Sequence, residues 1–152
     1  MPWPPETPEQ WEAEARVKGA AKTLAPERQV GGNHYNVMKI QPSRFWMAND
    51  YDGDAGMILK YLARHKLKKG REDVEKALSF VYIRLDNKEF ISRPRRDLIS
   101  MHDFIIANAL DDTTAGALYI LDFWVKSGYG ECTFHLHLIE AIAHILAEQY
   151  PV

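Results

Sequence analysis

Between positions 60 and 71 the chain carries six lysine or arginine residues and no carboxylate. Lys60, Arg64 and Lys68 recur every fourth position, so on a helix turning about 100° per residue they fall within about 80° of arc and make one cationic edge. Arginine offers a phosphate a planar fork and lysine a point charge, so this edge has the chemistry to grip a phosphate chain. A second group stands upstream in "GGNHY". Gly31 and Gly32 can present backbone N–H groups, Asn33 an amide, His34 a phosphate contact or proton shuttle, and Tyr35 a stacking face for a base. The bland readings are a solvated basic face and a connector loop. A connector would need only turn formers, and that favours a binding loop in which Lys60 and Arg64 neutralise phosphate charge.

Other chemistries fit less well. The chain has no GxxxxGK[ST], no GxGxxG and no CxxC, so standard phosphate cradles, dinucleotide sites and zinc ribbons are absent. Asp50, Asp52 and Asp54 alternate like the start of a calcium loop, but Ala55 stands where the sharp turn needs glycine and Tyr61 where a bidentate glutamate is required. His102-Asp103 resembles the pair that helical phosphohydrolases use to hold a metal, although one dipeptide is a weak signal. His137, Glu140 and His144 share a helix face, opposite Leu136, Ile139, Ile142 and Leu146, and read as solvent-exposed.

The elements that must position these groups are helical. Thr7-Pro8-Glu9-Gln10 is a capping box that predicts a peripheral helix over 8–24. Pro42 opens a short helix carrying Phe45 and Trp46 inward until "NDYDGDAG" breaks it, and Asp54 caps the next helix, over 55–68. That helix has a broad apolar arc of Ile58, Leu59, Tyr61, Leu62, Ala63 and His65, and Gly70 closes it. A helix over 71–88 follows, with Val74, Leu78, Val81 and Leu85 on one side and Phe80 and Ile83 on the other, as if sandwiched. "SRPRRD" at 92–97 reads as a linker, and three further helices are expected near 97–109, 113–127 and 133–149. No segment alternates cleanly, so the fold class is all-α: a compact helical domain of about five to six helices, without a P-loop α/β core.

The net charge of −2 conceals an asymmetry of −1 over 1–29, +6 over 30–96 and −7 over 97–152. A basic middle in an acidic chain favours a small anionic ligand over nucleic acid. With 152 residues, 46% hydrophobic content and the single Cys132, the expectation is a chain folded without internal disulfides, cytoplasmic and with no membrane partner. Three parts are expected: a tail and peripheral helix over 1–28, a core over 29–90, and a helical extension over 97–152 packed on it. Phe80, Ile83 and four tryptophans suggest more apolar surface than one copy covers, hence a homo-oligomer.

The pattern Gly31-Gly32-x-His34-Tyr35, Gln41-Pro42, Asn49, Gly56, Lys60-Tyr61, Arg64, Lys68-x-Gly70-x-x-Asp73-x-x-Lys76-Ala77 resembles the SaV-like family of bacteriophage proteins, which includes an unconventional deoxynucleoside monophosphate kinase. The likeness covers about 29–86. It implies a phage protein acting in the infected cell, and phosphate transfer from ATP or another nucleoside triphosphate to a deoxynucleoside monophosphate, with Mg2+ as a candidate companion ion. The resemblance itself assigns no catalytic residues; the chemistry of the side chains makes His34, Lys60, Arg64 and Asp73 the expected catalytic group, with Gly31, Gly32, Asn33, Tyr35, Lys68 and Lys76 binding the nucleotide. Phosphoryl transfer is mostly positioning and charge stabilisation, so a lysine–arginine cluster with one histidine and one carboxylate could suffice. The alternatives are a non-catalytic protein that sequesters a nucleotide and a metal-dependent nucleotide phosphohydrolase.

Overall fold

The computed structural model describes residues 38–87, 93–129 and 133–152; the expected helix over 8–24 and the 31–35 loop lie outside them. Six α-helices occur among the described residues: α1 (Pro42–Ala48), α2 (Gly53–Arg64), α3 (Arg71–Asp86), α4 (Met101–Ala107), α5 (Asp112–Lys126) and α6 (Phe134–Gln149). A 3-10 turn, His65–Leu67, follows α2. No strand occurs among the described residues, and none of their helices is long and apolar enough to cross a membrane.

Each element has a local cause. Pro42 starts α1, and Asp50, at φ +54°, turns the chain after it. Asp52, not Asp54, caps α2, its side chain accepting from the Ala55 amide at 3.0 Å. Asp54 sits instead in the first turn, 3.8 Å from Arg84. The α-helix ends at Arg64 rather than at 68. Gly70, at φ +55°, completes the reversal, donating its N–H to the His65 carbonyl at 2.8 Å immediately before α3. Ser100 and Asp111 cap α4 and α5 through their side chains.

The long helices close into a ring. α2 packs on α3 and α5, and α6 packs on α3 and α5; α1 lies against α2, and α4 against α5. One core therefore spans both halves, with Phe45, Ile58, Leu59 and Leu62 meeting Phe104, Leu118, Trp124, Leu138 and Ile142. All six residues of the predicted arc on α2 are buried. Two expectations of facing need correction. α3 is covered by α2 and α6 among the described residues, but not at Ile83: Val74 and Val81 are buried, Phe80 stacks on Tyr61 at 6.0 Å, and Ile83 is exposed beside Tyr82. On α6 the buried stripe is Leu138, Ile142 and Ile145, while Leu136 is exposed, because the helix docks between α3 and α5 a residue or two around its axis from the expected face.

α1 crosses α2 at Gly56, where an added Cβ would meet the Trp46 ring at 2.1 Å. Gly56→Ala should therefore destabilise the domain by about 1–3 kcal/mol, the usual cost of overpacking, although alanine is the better helix former. Urea unfolding checks this. A variant as stable as wild type would mean that Trp46 swings aside freely.

Candidate functional site

The cationic edge of α2 is assembled around one aromatic ring. Lys60 Nζ lies 4.9 Å, Arg64 Cζ 4.8 Å and Lys76 Nζ 5.6 Å from the Tyr61 ring centroid. The ring's negative face attracts all three, which gathers like charges that would otherwise separate. Burial lowers the Lys60 pKa from its ordinary value, and the charges of Arg64, Lys68 and Lys76 lower it further against the pull of Asp73. An anion would relieve that repulsion. Lys60 also lines an open cleft of about 250 Å3 with Gln41, Pro42, Ser43 and Trp46.

The predicted site residues do not play equal parts. Arg64 and Asp73 are both buried and paired through two contacts, Nε–Oδ2 and Nη2–Oδ1, each 3.2 Å. The Lys69 amide donates to the same carboxylate at 3.4 Å. Asp73 has no exposed surface, and its carboxylate holds Arg64 and the 68–70 turn. Arg64 is likewise not the exposed cation that its helix register predicts. Lys76 is shared with Glu72 at 3.3 Å. Lys68 stands beyond the end of α2, exposed, and none of its contacts with carboxylates reaches ion-pair distance among the described residues.

The catalytic candidate His34 and the binding candidates Gly31, Gly32, Asn33 and Tyr35 lie outside the described residues. The chain that continues from them is anchored. Met38 and Ile40 are buried, and Asn108 at the end of α4 accepts from the Ile40 amide at 3.0 Å and donates to its carbonyl at 2.8 Å. Gln41 and Pro42, where α1 begins, line the same cleft as Lys60.

The alternative sequence motifs serve the fold. Asp50 accepts from the Arg95 amide, and Asp52 receives the Tyr129 hydroxyl besides capping α2. Arg84, buried over the Tyr129 ring, faces both Asp52 and Asp54. His102 pairs with Tyr119 at 3.0 Å, and Asp103 sits in the first turn of α4. His137 and His144 are exposed beside Glu140 and Glu148. No three His, Cys, Asp or Glu side chains converge as a metal cage among the described residues.

A polar relay beside the cationic face escaped the sequence reading. His65, taken there as part of the apolar arc, is 2% exposed and bonded at both ring nitrogens, Nδ1 to Tyr150 Oη at 2.6 Å and Nε2 to Thr114 Oγ1 at 2.9 Å. The Thr114 hydroxyl donates to Asp111 at 2.8 Å, so its oxygen must accept from His65 Nε2–H. In the neutral imidazole Nδ1 is then the acceptor for the Tyr150 hydroxyl. Burial, followed by the charge of Lys66, lowers the His65 pKa against the opposing pull of Asp111 and Asp73, which suits that tautomer. The relay borders a cleft of about 350 Å3 lined in part by Leu62, Lys66, Leu67, Asn108 and Leu110. A histidine followed by lysine inside a helical arc was the one sequence signal; its partners lie 49 and 85 residues away.

Comparison with known proteins finds no matching protein family, curated protein or solved structure. The fold and site define an all-α domain with a cationic face centred on an aromatic ring.

Proposed function

We propose that the protein binds a phosphate-bearing nucleotide on the face built around Tyr61. In line with the resemblance of 29–86, we further propose that it transfers phosphate from a nucleoside triphosphate to a deoxynucleoside monophosphate. The observation that carries the binding proposal is the gathering of Lys60, Arg64 and Lys76 on one ring, with Lys60 held at a lowered pKa by burial and its cationic neighbours. Lys60 and Lys68 would contact phosphate, Arg64 would shape the field from its buried pair with Asp73, and His34 and Tyr35 would complete the site from the adjoining loop. A non-catalytic, sequestering role is the second reading, favoured by the burial of Asp73, which removes that carboxylate as a base.

Turnover decides between them. The protein is incubated with ATP, Mg2+ and each deoxynucleoside monophosphate. A new deoxynucleoside diphosphate supports the kinase; stoichiometric binding without product supports sequestration; phosphate released to water supports a hydrolase. Lys60→Ala, Lys68→Ala and His34→Ala should each weaken nucleotide binding or turnover about 10- to 150-fold, the worth of one charge-assisted contact. His144→Ala should leave both unchanged. Unaltered affinity and rate in all three variants would remove the site.

A further inference from the structure

Residues 93–100, which include most of the stretch at 92–97 that reads as a linker, form a tethered strap. Asn49 donates from Nδ2 to the Ile99 carbonyl at 2.6 Å, and its Oδ1 accepts from the Leu98 and Ile99 amides at 2.8 and 2.9 Å. Asp50 accepts from the Arg95 amide at 2.9 Å. At the other side Arg93 lies against Gly128, which adopts φ +71°; a Cβ there would approach Arg93 Cγ to 2.9 Å. These contacts hold the backbone while Arg93, Arg95 and Arg96 remain exposed. With Asn49, Tyr51, Asp97 and Lys126 they line an open cleft of about 210 Å3.

The charges of this cleft are unbalanced. Lys126 is committed to Asp97 at 3.1 Å and to Asp122 at 2.8 Å, and Asp122 also accepts the Tyr51 hydroxyl at 2.6 Å. Those carboxylates are occupied, and none of the three arginines makes an ion pair among the described residues. Three guanidinium groups within four positions of a pinned backbone repel one another, and each offers the planar fork that matches phosphate oxygens. Whole-ligand pockets usually run from about 300 to 1,000 Å3; this cleft suits a phosphate chain with any base left in solvent.

We propose that the Arg93–Arg95–Arg96 cleft is a second anion site, binding the polyphosphate moiety of a nucleoside triphosphate or a free polyphosphate chain. It is distinct from the face around Tyr61: Tyr51 precedes α2 and Lys60 lies in its later turns, with about 10 Å of helix rise between Gly53 and Lys60. The cleft recognises the phosphate chain and not the base.

The test uses the full chain carrying Lys60→Ala and Lys68→Ala, so that the other face is silenced, and titrates it calorimetrically with inorganic tripolyphosphate, ATP and a single-stranded oligodeoxynucleotide. Tripolyphosphate should bind, weaken as salt is raised, and match ATP within about threefold. Adding Arg93→Gln, Arg95→Gln and Arg96→Gln together should weaken it at least about 100-fold, with each single change worth about tenfold, while the thermal midpoint stays level or rises as repulsion is removed. Unchanged binding in the triple variant overturns the proposal, as does no tripolyphosphate binding to the Lys60/Lys68 variant. A preference for ATP above about tenfold would assign recognition to the base, and affinity that grows with oligonucleotide length would make the strap a nucleic-acid contact; either result refutes it.

Discussion

Asp73→Ala will lower the unfolding free energy by about 3–5 kcal/mol, because it removes the buried carboxylate that pairs through two contacts with the buried Arg64 guanidinium. Both partners are buried, and their two 3.2 Å contacts satisfy one another where water cannot. Removing the carboxylate takes the compensating negative charge away from a guanidinium that stays buried. It also frees the Lys69 amide at the turn that Gly70 completes. Replacing both partners by apolar residues of similar volume, Arg64→Met with Asp73→Leu, should cost far less than Asp73→Ala, since no charge is then left unpaired. Urea unfolding of the single and double variants measures the difference. A loss below about 1 kcal/mol for Asp73→Ala would mean that the pair is solvated in solution. The same burial makes Arg64→Ala a poor probe of ligand binding, because lost affinity would be mixed with lost structure. Lys60 and Lys68 carry the functional test for that reason.

The helices were legible where local chemistry decides. Pro42, the glycine at 70 and the apolar period of 55–65 placed α1, α2 and α3 to within a few residues, and the three later helices followed from their apolar patterns. Legibility failed where a distant partner decides. Asp52 and Asp54 are equally competent caps in isolation, and Asp52 is engaged by Tyr129, 77 residues away. Arg64 has the register of a surface cation until the turn at 68–70 brings Asp73 over it. The strap at 93–100 has no period to read, and its anchor Asn49 is about 50 residues upstream. Of the candidate site, Lys60 and Arg64 were visible as helix spacing, with Lys68 as the third member of that edge; the approach of Lys76 from α3 was not, nor was Tyr61 as the organising ring, because the sequence assigns that residue to the core.

The domain will lose stability in acid in two separate stages, each traceable to the His65 relay. His65 has its pKa lowered from 6.5 by burial, so in the folded state it resists a proton that the unfolded chain accepts. Stability therefore rises with pH wherever the unfolded state binds more protons. The His65 contribution is fully present above about pH 6.5 and is lost as pH falls from there towards its lower folded pKa. Protonating Nδ1 would oppose the Tyr150 hydroxyl, which donates to that atom. The second stage belongs to Asp111. Burial would raise its pKa, but hydrogen bonds from the Thr114 hydroxyl and amide, Lys66 and Gln149 outweigh it and hold the carboxyl at about 2, against an ordinary 3.8. That contribution is present above pH 3.8 and is lost as pH falls towards about 2. His65→Gln, which retains a donor and an acceptor but does not titrate, should flatten the first stage and leave the second. Asp111→Ala should remove the second and cost about 2–3 kcal/mol at neutral pH, because α5 loses its cap and the relay loses its terminal acceptor. Chemical denaturation from pH 7.5 to 2.5 reads both stages. An acid profile for His65→Gln that superimposes on wild type between pH 6.5 and 5 would show that the relay is not coupled to folding.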